Sequence, residues 1–309
     1  MNNMETLVSV CMITYNHEKY IAQAIDSVLM QRTNFDFEIV IGEDCSTDRT
    51  REIVLEYKAK YPDKIKLLLQ EKNVGMMQNF IDTFNACKGK YIALLEGDDY
   101  WTDQYKLKKQ VDILEAHPEY SMCFTARNVV DSDNKFLREE HYPDKIYTTK
   151  DVVEGFIPST QTIVLRNYQD LHKFLYQNHN HPSGDRLVAY YCSLMGPIYY
   201  IDEVTACYRE SGEGVWSSFD YWQKREKRFE RFKKFYTILG IENNNLNLID
   251  RGFYEFYSRV LANIKHPIKT IKDLKKFYKV YLYKSPIPLI LVIIYFRFKK
   301  RILKLFMAK

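Results

Sequence analysis

A chain of 309 residues with 46% apolar content can bury one large core and an appendage, which excludes a disordered polymer. The net charge of +5 is unevenly spread: residues 265–309 carry 13 Lys and Arg against one acid, while the first 264 residues carry 32 against 39, a net of −7. An acidic body with a basic, apolar-interleaved tail argues against nucleic acid as partner and points the tail at an anionic membrane surface.

The six cysteines, at 11, 45, 87, 123, 192 and 207, form no C-x-x-C pair, and several lie in apolar runs, so reduced thiols in a cytoplasmic protein are expected. The start, MNNMETLVSVCMITYN, has no basic n-region or cleavage site. Its apolar run from Leu7 to Ile13 reads as a first strand, and no secretion is implied. After Thr14-Tyr15-Asn16-His17 comes a helical pattern with Ile21, Ala24, Ile25, Val28 and Leu29 on one face. Phe37 to Ile41 is a second strand; the loop GEDCSTDRT offers Ser46, Thr47 and Asp48 as N-caps for a helix through Tyr57. Ile65 to Leu69 is a third strand, and Phe80, Ile81, Phe84 and Asn85 lie on a third helix. Four β-α units in about 100 residues imply an α/β domain with a mostly parallel sheet flanked by helices.

The fourth strand, Tyr91 to Leu95, runs into an abrupt acidic cluster, Glu96, Asp98 and Asp99. In open α/β sheets ligands bind beyond the carboxyl ends of such strands, so these acids are expected at the mouth of a cleft. Gly97 lets the backbone turn sharply enough for carboxylates to converge on one hard cation, Mg²⁺ or Mn²⁺, carrying a diphosphate. The alternative is a plain acidic turn. Neither G-x-G-x-x-G nor a Walker A stretch occurs, which argues against a dinucleotide dehydrogenase and a P-loop enzyme.

Further along, Gln104 to Ala116 reads as a helix, Ser121 to Val130 as a strand, and the polar stretch to Lys150 as a loop over the cleft. Gln161 to Leu165 is strand-like, Gly184 to Met195 helical, and Pro197 to Ile201 again strand-like. The segment SGEGVWSS then reads as a loop.

TYNHEKYIAQAIDSVL, EDCSTDRT, NVGMMQN, EGDDYWTDQYKLKKQ, a later GD and YRESGEGVWS, in that order, resemble the family 2 glycosyltransferases of the GT-A fold, especially the bacterial capsule and lipopolysaccharide branch. The resemblance covers roughly residues 6 to 217. It implies that Thr14, Tyr15 and Asn16 line a nucleotide pocket and that Asp44 holds the base edge, where a carboxylate accepting from uracil N3–H would favour a UDP-sugar; Asp44 could instead serve as a helix cap. Asn73, Gly75 and Asn79 match a stretch near the sugar diphosphate, or a plain turn and helix start. Glu96 would face the ribose and Asp98 would be the metal ligand. Asp185 matches the catalytic base of an inverting transfer, the alternative being a helix cap. Trp216 matches an acceptor-side aromatic, or is a core residue. Where related sequences carry a His after Tyr-Arg, this chain has Ser211, so that role is vacant or passes to Arg209 or Glu213.

Residues 1–217 are thus expected to form the catalytic domain and 218–264 a helical extension. In 265–309, PIPLILVIIYF is an 11-residue apolar run among basic residues, too short to span a bilayer, which needs ~20 residues. It reads as an in-plane anchor at the cytoplasmic membrane face, unless it packs as core. The reading is an inverting, metal-dependent transferase acting on a lipid-linked or polysaccharide acceptor; the alternatives are a non-catalytic sugar-nucleotide or polysaccharide-binding subunit and, more remotely, nucleotidyl transfer.

Overall fold

The computed structural model describes residues 6–211 together with Lys227, Arg231, Lys234, Phe235 and Ile238. Trp216, Glu213, the 265–309 tail and all but those five residues of 218–264 lie outside the described residues.

The apolar runs become β1 (Val8–Thr14), β2 (Phe37–Glu43), β3 (Ile65–Leu69) and β4 (Tyr91–Glu96), linked by α1 (Ile21–Leu29), α2 (Thr50–Lys60) and α3 (Met76–Ala86). They pair in parallel in the order β3-β2-β1-β4. Strands covered on both faces need apolar side chains on both, which is why β2 is buried at every residue and reads as a continuous run. Alternate residues part to opposite faces: Cys11, Val40, Ile92 and Leu94 join Phe80, Phe84, Leu187 and Val188 on one side. Val10, Met12, Ile39 and Ile41 join Ile21, Ile25, Val54 and Val111 on the other. Each such side chain contributes about 1.5–3 kcal/mol by leaving water.

The chain continues as β5 (Tyr100–Trp101), α4 (Lys106–Ala116), β6 (Met122–Asp131), β7 (Phe136–Glu140), α5 (Thr149–Val153), β8 (Val164–Arg166), α6 (Gln169–Gln177), α7 (Gly184–Met195) and β9 (Ile198–Glu210). The sheet extends from β4 through β8, β6 and β9 to β5. Here the four-unit parallel pattern stops: β8 is antiparallel to both β4 and β6, whereas β6 and β9 are parallel. Phe235 is fully buried in the same core as α7, its ring edge-on to Tyr190 at 5.2 Å.

Three expectations need correction. The polar stretch to Lys150 is not one loop, since β7 forms a hairpin with β6 and α5 follows it. Thr160–Thr162 is a 3-10 turn, which leaves β8 three residues long. The strand from residue 198 does not end at Ile201 but runs to Glu210, because β6 pairs with it along its whole length across register shifts near Thr125 and Ala126. All six cysteines are unpaired, and all but Cys45 are buried. No helix among the described residues is long and apolar enough to cross a membrane.

Candidate active site

The loops after β1, β2 and β4 gather at one end of the sheet. Asn16, at φ 56°, joins the first two: its Oδ1 accepts the Thr47 N–H at 2.8 Å and its own N–H donates to Ser46 Oγ at 3.0 Å. Thr14 is buried, and its carbonyl accepts the Asp44 N–H at 3.1 Å, while Tyr15 is exposed. Asp44 is 2% exposed, and its two oxygens accept the backbone N–H groups of Val74 (2.7 Å) and Gly75 (3.0 Å). It therefore fixes the loop that carries the exposed Asn73 into α3. Asn79 is buried and donates to the Gly42 carbonyl at 2.8 Å.

The acidic cluster lies beside these loops. Glu96 is the last residue of β4; Gly97 donates its N–H to the Ile13 carbonyl at 2.9 Å, and Asp99 donates its N–H to the Glu96 carbonyl at 3.0 Å, which closes a tight turn. A Cβ on Gly97 would fall 2.7 Å from Thr14 Oγ1 and 3.0 Å from His17 Nδ1, so only glycine lets the turn lie against the end of β1. One oxygen each of Glu96, Asp98 and Asp99 lies within 4.8 Å of the others. Burial, then the Asp98 and Asp185 carboxylates, push the Glu96 pKa up to about 8, against relief from Arg127 and Arg231. Asp99 is pushed well up by burial, then by Asp98 and Glu96. It is fully buried, and its Oδ2 has no hydrogen-bond partner among the described residues.

Asp185 enters from another element. It lies in the first turn of α7, where the helix dipole suits a negative group. Gly184 brings that helix end onto α3, since a Cβ there would meet the Phe80 ring at 2.8 Å. The Asp185 carboxylate adds to the upward push on Glu96, and Arg231 lies in the field of both acids. Arg231 is placed from its backbone: its carbonyl accepts from His181 Nε2 at 3.2 Å, while His181 Nδ1 accepts the Ser183 N–H at 3.2 Å. Arg127, whose guanidinium lies 4.5 Å over the Tyr208 ring and pairs with Glu140 at 2.7 Å, adds further positive charge. The Tyr208 phenol is pushed up by burial, then by Asp99, Glu96 and Asp98.

The model of the family described as Glycosyl transferase family 2 matches residues 9–178, more than half of the chain. The chain belongs to glycosyltransferase family 2. An uncharacterised protein of Mycobacterium tuberculosis is 35% identical over 221 residues, covering 68% of this chain and 61% of that protein. The chain thus spans about three-fifths of the length of such relatives. The putative teichuronic acid biosynthesis glycosyltransferase TuaG of Bacillus subtilis is 31% identical over 173 residues, 55% of this chain and 66% of that protein. The crystal structure of S. aureus TarS 1–349 in complex with UDP-GlcNAc superimposes with a TM-score of 0.62 at 20% identity, covering 89% of this chain and 79% of that one. The fold is the mixed α/β GT-A arrangement of family 2.

Of the residues singled out in the sequence, Thr14, Asn16 and Asp44 share the joined loops after β1 and β2, Glu96 and Asp98 share the turn after β4, and the Asp185 carboxylate acts on Glu96; Tyr15 and Asn73 are exposed. Arg209, expected on the acceptor side, is 2% exposed and turned inward instead. Its Nε donates to the Asp98 carbonyl (2.8 Å), its two terminal nitrogens to Asn134 Oδ1 (2.7 Å) and Gln23 Oε1 (2.8 Å), and the guanidinium lies 4.4 Å over the Tyr20 ring. Sequence reading missed His17, whose Nε2 is 3.8 Å from Asp98 Oδ2, and gave Asp99 no role of its own. The T-Y-N-H stretch was the available signal for His17, since the residue lies in the short loop just past the end of β1.

Proposed function

We propose that the chain is an inverting, metal-dependent glycosyltransferase that moves a sugar from a nucleoside diphosphate donor, in our reading a UDP-sugar, to a lipid-linked or polysaccharide acceptor in surface glycan synthesis. The observation that carries this is the convergence of Glu96, Asp98 and Asp99 at the end of β4, with the Asp185 carboxylate near enough to help raise the Glu96 pKa. The oxygen-only donor set, the orphaned Asp99 Oδ2 and the mutual repulsion of the carboxylates fit a hard divalent cation, Mn²⁺ or Mg²⁺. Asp98 would hold it, and when bound it supplies positive charge to the leaving diphosphate.

The other steps belong to the chain's own groups. Thr14, Tyr15, Asn16 and Asn73 line the donor side, and Asp44 retains lone pairs for the base edge beyond its two backbone bonds. Glu96 faces the ribose. Asp185 takes the proton from the acceptor hydroxyl as that oxygen attacks the anomeric carbon from the face opposite the nucleotide; the C–O bond to the diphosphate breaks as the new one forms. Such base assistance contributes ~10²–10⁴-fold. Trp216, outside the described residues, is assigned to the acceptor side, and Arg209 supports that side only through the turn it braces. Teichuronic acid synthesis in the name of TuaG and UDP-GlcNAc in the TarS complex support the glycan and donor classes. The basic 265–309 tail supports peripheral attachment at the inner membrane face. The test is hydrolysis of a nucleotide-sugar panel with and without Mn²⁺: metal-dependent release of nucleotide from one donor is expected, and no release from any donor defeats the reading.

A further inference from the structure

His17 stands against the acidic cluster with its backbone and ring both held. Its N–H donates to Thr50 Oγ1 at 2.8 Å, and its carbonyl accepts the N–H groups of Tyr20 and Ile21, each at 2.9 Å, as α1 begins. The ring lies with Nδ1 3.3 Å from Thr14 Oγ1 and Nε2 3.8 Å from Asp98 Oδ2; both side chains are about one-fifth exposed, at 22% and 20%. The missing Cβ of Gly97 makes the room, since a side chain there would press on Nδ1 at 3.0 Å.

A separation of 3.8 Å exceeds a hydrogen bond, whose heavy atoms lie about 2.7–3.2 Å apart. It lies between the separations of two ligands on one ion, which at about 2.1 Å each from a divalent cation stand roughly 3.0 Å apart when adjacent and roughly 4.2 Å when opposed. A shift of less than about 1 Å in these two partly exposed side chains therefore brings both onto one ion. We propose that His17 Nε2 is a ligand of the divalent cation taken by Asp98, with Nδ1–H donated to Thr14 Oγ1 to fix the tautomer. This rests on the metal reading above. A metal-bound imidazole commonly donates its other ring N–H to an oxygen acceptor, which frees the lone pair of the ligating nitrogen, and here the Thr14 hydroxyl stands in that place. A nitrogen donor among oxygens also tilts the site toward Mn²⁺ over Mg²⁺, because imidazole suits transition metals and Mg²⁺ prefers oxygen.

The test uses the full chain with Mn²⁺ and UDP. In protein labelled with ¹⁵N only at histidine, pulsed electron paramagnetic resonance of bound Mn²⁺ is expected to show a ¹⁵N coupling that disappears in His17→Ala. Titration of the free Mn²⁺ signal is expected to show affinity falling by about tenfold or more in His17→Ala, with Mg²⁺ affinity nearly unchanged. His17→Gln, which keeps a polar group of similar reach, is expected to fold as the wild type and still lack the coupling. An uncoupled Mn²⁺ signal in wild-type protein, or a coupling that survives in His17→Ala, overturns the proposal. Asp98→Ala separates the two readings: retained Mn²⁺ binding there defeats the metal assignment and His17 with it. Lost binding there, with no ¹⁵N coupling in the wild type, defeats His17 alone.

Discussion

The backbone N–H of Arg209 donates to Asp99 Oδ1 at 2.8 Å, and the Arg209 side chain returns to the same turn, Nε donating to the Asp98 carbonyl at 2.8 Å. The end of β9 thereby grips the carboxylate turn at two points, and Gln23 and Asn134 hold the same guanidinium from α1 and the β6–β7 turn. Arg209→Lys keeps the charge but loses the planar fork that serves several acceptors at once. Loss of hydrogen bonds made by a buried charged group costs about 1.5–3 kcal/mol each, so at least that much stability is expected to go, measured by urea unfolding. Mn²⁺ affinity of the remaining folded protein is expected to fall as well, because Asp98 and Asp99 are no longer held; an unchanged affinity would make Arg209 a support of the fold alone.

Asp98→Ala is expected to fold normally and to lose metal-dependent donor binding. Its side chain is partly exposed and makes no short hydrogen bond among the described residues, so little packing depends on it, while the repulsion that lifts Glu96 and Asp99 is relieved. Calorimetric titration with UDP and Mn²⁺ checks this, and wild-type affinity would remove Asp98 from the metal site.

Asp185→Asn separates chemistry from binding. Asparagine keeps the size and capping capacity of aspartate at the start of α7 but cannot take a proton from the acceptor. UDP binding is expected to persist while transfer falls by ~10²-fold or more. Full turnover in that variant would mean that another group is the base.

How much of this was legible in the sequence follows from what each element buries. β1, β2 and β4 are covered on both faces and announce themselves as unbroken apolar runs, and the acids after β4 mark the site by position. β7 is exposed along nearly its whole length, with Phe136 at 57%, so no alternation marks it. β9 carries Asp202 and Glu203 exposed in its middle, where the register with β6 shifts, and those acids read as a strand end. Arg209 is a charged residue whose burial depends on partners 110 and 186 residues away, and His17 meets Asp98 only because Gly97 allows the loops to touch. Side-chain type and spacing carry no record of such long-range pairings.

Lys106 gives a prediction independent of catalysis. It is fully buried on α4, its Nζ donating to Gln110 Oε1 at 2.5 Å and lying 4.6 Å over the Trp101 ring, and burial lowers its pKa to about 7. In the unfolded chain a lysine keeps its ordinary value of about 10.4. Between those values the unfolded state binds more protons than the folded one, so this group makes the folded state gain stability as pH rises through that window, by at most about 1.4 kcal/mol per pH unit. Below pH 7 the charged ammonium is buried and its cost is fully present. Lys106→Met keeps the length and apolar stem without the charge, so the variant is expected to be more stable than wild type at pH 7. Its advantage should shrink as pH rises toward 10. The comparison of the two proteins cancels the tyrosines and cysteines that titrate in the same range. Urea unfolding of both at pH 7, 8 and 9 reads the difference directly, and a gap that stays constant or widens with pH would show that Lys106 does not carry this linkage.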